Sequence, residues 1–129
     1  MTTPNPTVYL IGLPSEHPAV PENMREQVAT SLAQVKKSLT SPNIHLTYRF
    51  IPVTPDANAT DLKRELAANR PDAVIIGAGI RMNPQLNLWF EEIVAVIQDV
   101  KPSCRILFNT SPTSTVDAAR RAFPNAFKQ

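Results

Sequence analysis

Thirteen prolines cut this 129-residue chain into pieces that are each about the length of one secondary-structure element. Proline fixes φ and has no backbone N–H, so it is shut out of helix interiors and central strands. The pieces between prolines are therefore read one element at a time. Thr7 to Leu13 is a continuous apolar run of strand length, which suits a strand covered on both faces. Pro14 to Pro21 holds three further prolines and is a loop. From Pro21 the spacing of Met24, Val28, Leu32, Val35 and Leu39 predicts a helix with one apolar stripe, ending at Thr40-Ser-Pro-Asn43.

Ile44 to Val53 alternates, with Ile44, Leu46, Tyr48 and Phe50 on one face and His45, Thr47 and Arg49 on the other. That pattern predicts an edge strand. A second helix is expected from Ala57 or Thr60 to Ala68, stopped by Asn69-Arg-Pro71. Ala73-Val-Ile-Ile-Gly reads as a buried strand followed by a glycine turn. Asn83 and Pro84 open a third helix as N-cap and first residue, with Leu86, Phe90, Ile93, Ile97 and Val100 as its core stripe. Leu88, Trp89 and Val96 widen its apolar surface beyond what covering a sheet requires. Cys104 to Asn109 is the fourth strand, and a last helix starts at Ser114, with Asp117 at the capping-box position and Val116, Ala119, Phe123 and Phe127 facing inward.

Four alternating strand–helix units predict a parallel sheet with right-handed crossovers. The alternating second strand belongs at an edge and the fully apolar third strand in the centre. The expected fold is three-layer α/β/α, with a four-stranded parallel sheet in the order 2-1-3-4. That is a flavodoxin-like or Rossmann-like arrangement one strand short, in a single domain over 1–129 with residues 1–6 as a flexible tail.

Composition removes several functional classes. The apolar fraction of 43% is that of a globular chain, and no apolar run approaches the ~18 residues of a membrane span. Residues 1–6 have no basic or apolar segment of a secretory signal, and Cys104 is the single cysteine, so a reducing cytoplasm is the expected setting. The net charge is only +2, and the pairs Lys36-Lys37, Lys63-Arg64 and Arg120-Arg121 fall on helices as solvated faces. No nucleic-acid partner is expected. Two histidines and one distant cysteine do not make a metal site.

The chain has three glycines, Gly12, Gly77 and Gly79, and all lie at the carboxyl ends of the first and third strands. In a 2-1-3-4 sheet the strand order reverses between those two strands, and ligands of open α/β sheets bind beyond such a point. Glycine there permits φ > 0 or close approach of a ligand to the backbone. Four loops meet at this edge. They carry Ser15, Glu16 and His17; Thr54 and Asp56; Arg81 and Asn83; and Asn109, Thr110, Ser111 and Ser114. Arg81 before a helix start is a candidate anion-binding group.

Gly77-Ala-Gly79 resembles the opening of a dinucleotide fingerprint, but Met82 stands at the third glycine position and Asn109 where an acid would hold ribose. No cofactor is expected. The topology resembles response-regulator receivers, flavodoxins, and small phosphotransfer and phosphatase domains. The third strand, however, ends in Gly77 rather than a phosphorylatable aspartate, and Pro14-Ser-Glu-His is not a hydroxyl-rich phosphate loop. These resemblances imply a fold and no chemistry. The leading expectation is a binding domain for an anionic small molecule, contacted by Gly12, Ser15, Gly77, Gly79, Arg81, Asn83, Asn109 and Thr110. One alternative is a small hydrolase or transferase using His17, Asp56 and Ser111 in the same cleft. Another is a non-catalytic module that dimerises through Trp89 and Val96 of the third helix.

Overall fold

A computed structural model describes residues 5–52 and 59–127. Strands β1 (Thr7–Gly12), β2 (Thr47–Pro52), β3 (Ala73–Ile76) and β4 (Arg105–Phe108) form one all-parallel sheet in the order β2-β1-β3-β4. The α-helices among the described residues are α1 (Arg25–Leu39), α2 (Ala59–Asn69), the four-residue α3 (Ala78–Arg81), α4 (Asn87–Val100) and α5 (Thr115–Ala122). The fold class and strand order are those the sequence pattern predicts.

Alternation along the strands builds two cores. Tyr9, Ile11, Val74 and Ile76 point to one face, where Leu62 and Leu66 of α2 and Ile93 and Ile97 of α4 cover them. Val8, Leu10, Ala73 and Ile75 point to the other, against Val35 and Leu39 of α1 and Ala118 and Ala119 of α5. A strand covered on both faces must be apolar throughout, which is why β3 is four buried residues in a row. β2, at the edge, keeps its polar alternation. Tyr48 and Phe50 pack on the α1 side, while Arg49 reaches out to pair with Glu65 at 2.7 Å.

Several details differ from the sequence reading. Pro6, placed in the tail, accepts a hydrogen bond at its carbonyl from the Thr47 N–H at 2.8 Å. The expected second helix start near Ala57 falls outside the described residues. The glycine turn after β3 is a short helix, α3, because Gly77 supplies an extended residue from which Ile80 and Arg81 fold back onto its carbonyl. Asn83 does cap the next segment, a 3-10 turn over Pro84–Leu86, by accepting from the Gln85 N–H at 3.0 Å. Ser114 makes no side-chain cap on α5. The 3-10 turn Pro112–Ser114 swings its hydroxyl back to accept the N–H groups of Thr110 and Ser111, so it braces the preceding loop instead.

Trp89 (6% exposed) and Val96 are buried in the chain's own core, on the face of α4 that meets the sheet and α2. The apolar width of this helix is thus used internally. Leu88, 78% exposed, is the residue of that set left facing outward.

Candidate functional site

A cavity of about 280 Å³ opens at the carboxyl edge of β1 and β3, where the strand order reverses. Its floor is the backbone of Gly12, Gly77 and Gly79. None of these glycines has a positive φ, so freedom of the backbone is not why they are glycine. Space explains two of them. A Cβ on Gly77 would stand 3.3 Å from the carbonyl oxygen of Ile11 on the neighbouring strand, and one on Gly12 would stand 3.3 Å from Cε2 of Phe50. At Gly79 the nearest heavy atom to such a Cβ is 3.9 Å away, in Leu13, so this position is open.

The walls are apolar. Phe50 of β2 stands on one side, Leu13, Ala19 and Val20 come from the loop after β1, and Met24, Val28 and Leu32 come from the first half of α1 and the turn before it. These α1 residues belong to the stripe that the sequence pattern assigned to the core. Only Val35 and Leu39 of that stripe are fully buried. Met24, 44% exposed, Val28 and Leu32 are left lining the cavity, the last two packing in part against the core as well.

One end of the cavity is polar. Asn109, Thr110 and Ser111 line it, just after β4. Asn109 is 4% exposed, and both ends of its amide are engaged. Its oxygen accepts from the Ala78 N–H at 2.9 Å, and its nitrogen donates to the Thr115 hydroxyl at 3.0 Å. It ties the start of α3 to the start of α5 and so holds two walls in register. The Thr110 and Ser111 hydroxyls lie near Ser114 Oγ at 3.3 Å and Thr113 Oγ1 at 3.1 Å respectively.

Of the residues singled out from the sequence, the cavity brings together Gly12, Gly77, Gly79, Asn109, Thr110 and Ser111. Arg81, Asn83, Ser15 and His17 do not line it. The Arg81 guanidinium turns back onto the sheet, donating to the carbonyl oxygens of Ile76 (3.1 Å) and Asn109, and sits 4.8 Å from the centre of the Phe108 ring. Asn83 is occupied as a cap. The Ser15 hydroxyl donates to Glu16 at 2.9 Å, and His17 Nδ1 accepts from the Ala19 N–H at 3.0 Å. Thr54 and Asp56 lie outside the described residues. No hydrogen bond joins His17 to Ser111 among the described residues. The residues the sequence reading passed over are Phe50 and the α1 wall. Their signal was an apolar stripe longer than the strand it covers.

Elsewhere the chemistry is quiet. Cys104 is buried at the far edge of the sheet, and burial pushes its thiol pKa up. Among the described residues no group of three or more His, Cys, Asp or Glu side chains could hold a metal, and no helix is long and apolar enough to cross a membrane. No protein-family model matches the chain, and no curated protein or solved structure matches it significantly.

Proposed function

We propose that this chain is a binding domain for a small organic molecule with a mostly apolar body and one hydrogen-bonding group, held in the cavity at the carboxyl edge of β1 and β3. The observation that carries this reading is the composition of the cavity at the switch point: backbone floor, apolar walls, and hydroxyl and amide groups gathered at one end. Binding sites of this kind are concave and mainly apolar, with a few convergent polar groups. The anionic headgroup expected from Arg81 finds less support, because that side chain is engaged by carbonyl oxygens and by Phe108. Binding is favoured over hydrolysis because His17 is directed to its own loop rather than to Ser111.

The test is a thermal-shift screen of neutral and anionic small molecules on the wild type and on Gly79→Leu. Position 79 is helical and has room for a side chain, so the substitution fills the cavity without straining the backbone. A ligand at about 100 times its Kd should add roughly 2.7 kcal/mol to the wild type, and that gain should vanish in the variant. Stabilisation that survives in Gly79→Leu, or none from any compound, would overturn the reading.

A further inference from the structure

We infer that the ligand of this cavity is a flat, uncharged aromatic or heteroaromatic molecule, bound along the glycine backbone beside Phe50 with its polar edge toward Thr110 and Ser111. This deepens the small-molecule reading above and rests on it.

Four observations converge on the class. The volume of about 280 Å³ lies just below the roughly 300–1,000 Å³ typical of small-molecule sites, which limits the occupant to about one or two fused rings. Gly12, Gly77 and Gly79 line the cavity without side chains, so a ring can come close to their peptide groups. The Phe50 ring packs against Gly12, so the adjoining wall is aromatic and adds the preference of ring for ring. None of the described residues that line the cavity is charged. An ionised group entering it would lose hydration without gaining a counter-charge.

The polar end sets the orientation. A hydroxyl offers one donor and two acceptor positions. Thr110 Oγ1 and Ser111 Oγ each have one contact within their own loop, so each retains capacity for a ligand atom. A ring carboxamide or ring nitrogen matches that pair. Asn109 contributes by holding the wall, with its amide oxygen and nitrogen each already bonded within the chain.

The inference is tested with three matched probes: naphthalene-2-carboxamide, its fully saturated decahydro analogue, and naphthalene-2-carboxylate. Each is titrated into the full chain while backbone amide resonances are followed by NMR. The expected result is at least tenfold tighter binding of the aromatic carboxamide than of either control, with shifts centred on the amides of Gly12, Gly77, Gly79 and Thr110. Phe50→Leu should narrow the gap between aromatic and saturated probes several-fold while the chain stays folded by the same spectra. Equal or tighter binding of the saturated amide or of the carboxylate at those amides would overturn the ligand class and leave the site standing. If no probe moves those amides while a hit from the wider screen does, the class is again wrong and the site right. If neither moves them, both readings fail.

Discussion

The side-chain oxygen of Asn109 accepts the backbone N–H of Ala78 at 2.9 Å, across the end of the sheet from β4 to α3. The same side chain donates to Thr115 Oγ1 at 3.0 Å, and Thr115 is wholly buried. One amide thus fixes the relative position of two helix starts and one wall of the cavity. Removing a single partner leaves a buried polar group unsatisfied, which costs about 1–3 kcal/mol. Thr115→Val keeps the shape and removes the acceptor, so it should lower unfolding free energy by about that amount. Asn109→Leu orphans both Ala78 and Thr115 and should cost more. Urea denaturation of the two variants checks the order, and a Thr115→Val as stable as wild type would show that the contact does not hold the structure.

Leu88 and Trp89 are neighbours in sequence with opposite surroundings. Trp89→Ala empties a large core position and should cost about 3–5 kcal/mol. Leu88→Lys changes a solvent-facing residue and should stay within about 0.5 kcal/mol of wild type. Sedimentation of Leu88→Lys adds a second readout. A change in mass would mean that α4 meets a second copy through its exposed residue.

The parts of this fold legible in the sequence are those governed by local rules. Prolines mark the boundaries because their ring geometry admits few environments, and the alternation in β2 against the unbroken apolar run in β3 gives edge and centre. The location of the cavity was legible for the same reason: the glycines cluster where strand order reverses. The lining was not. Met24, Val28 and Leu32 have the spacing of a core stripe, and nothing local says that this half of the helix borders a cavity. Arg81 sits where an anion site would need it, but its direction is set by carbonyl oxygens of Ile76 and Asn109, and Asn109 is 28 residues away in sequence. Arg70 is similar. It holds a positive φ of 43° at the end of α2, a position where glycine would be expected. The side chain that ties it to Val100 is what a glycine would lack.

Gly77 and Gly12 should respond differently to a methyl group. At Gly77 the new Cβ meets a carbonyl oxygen of β1, which is fixed in the centre of the sheet. Overpacking of this kind costs typically about 1–3 kcal/mol. At Gly12 it meets the Phe50 side chain, which lies beside the cavity and has space to move into. Gly77→Ala should therefore be clearly less stable than Gly12→Ala in thermal unfolding. Equal losses would mean that Phe50 is as rigid as the strand.

Tyr48 gives the chain an alkaline limit. Its hydroxyl oxygen is buried and finds no hydrogen-bond partner among the described residues, and burial pushes its pKa up to about 12 from 10.0. Tyr9 is shifted the same way, by burial first and by Glu65 second, against the opposing pull of Arg49. A folded-state pKa above the unfolded one means that the unfolded chain loses its proton first as pH rises. The Tyr48 contribution to stability is then full below about pH 10 and is lost between about 10 and 12. Tyr48→Phe removes the group that titrates and the hydroxyl that is buried without a partner. An unpaired buried hydroxyl costs about 1–3 kcal/mol in protein variants. The variant should be at least as stable as wild type at pH 7, with a shallower decline above pH 10, the remaining slope being that of Tyr9 and of the buried Cys104 thiol. Urea midpoints measured from pH 7 to 11 give both quantities. A Tyr48→Phe variant that is less stable at neutral pH would show that the hydroxyl is hydrogen-bonded in solution, and an unchanged alkaline slope would assign the limit to other groups.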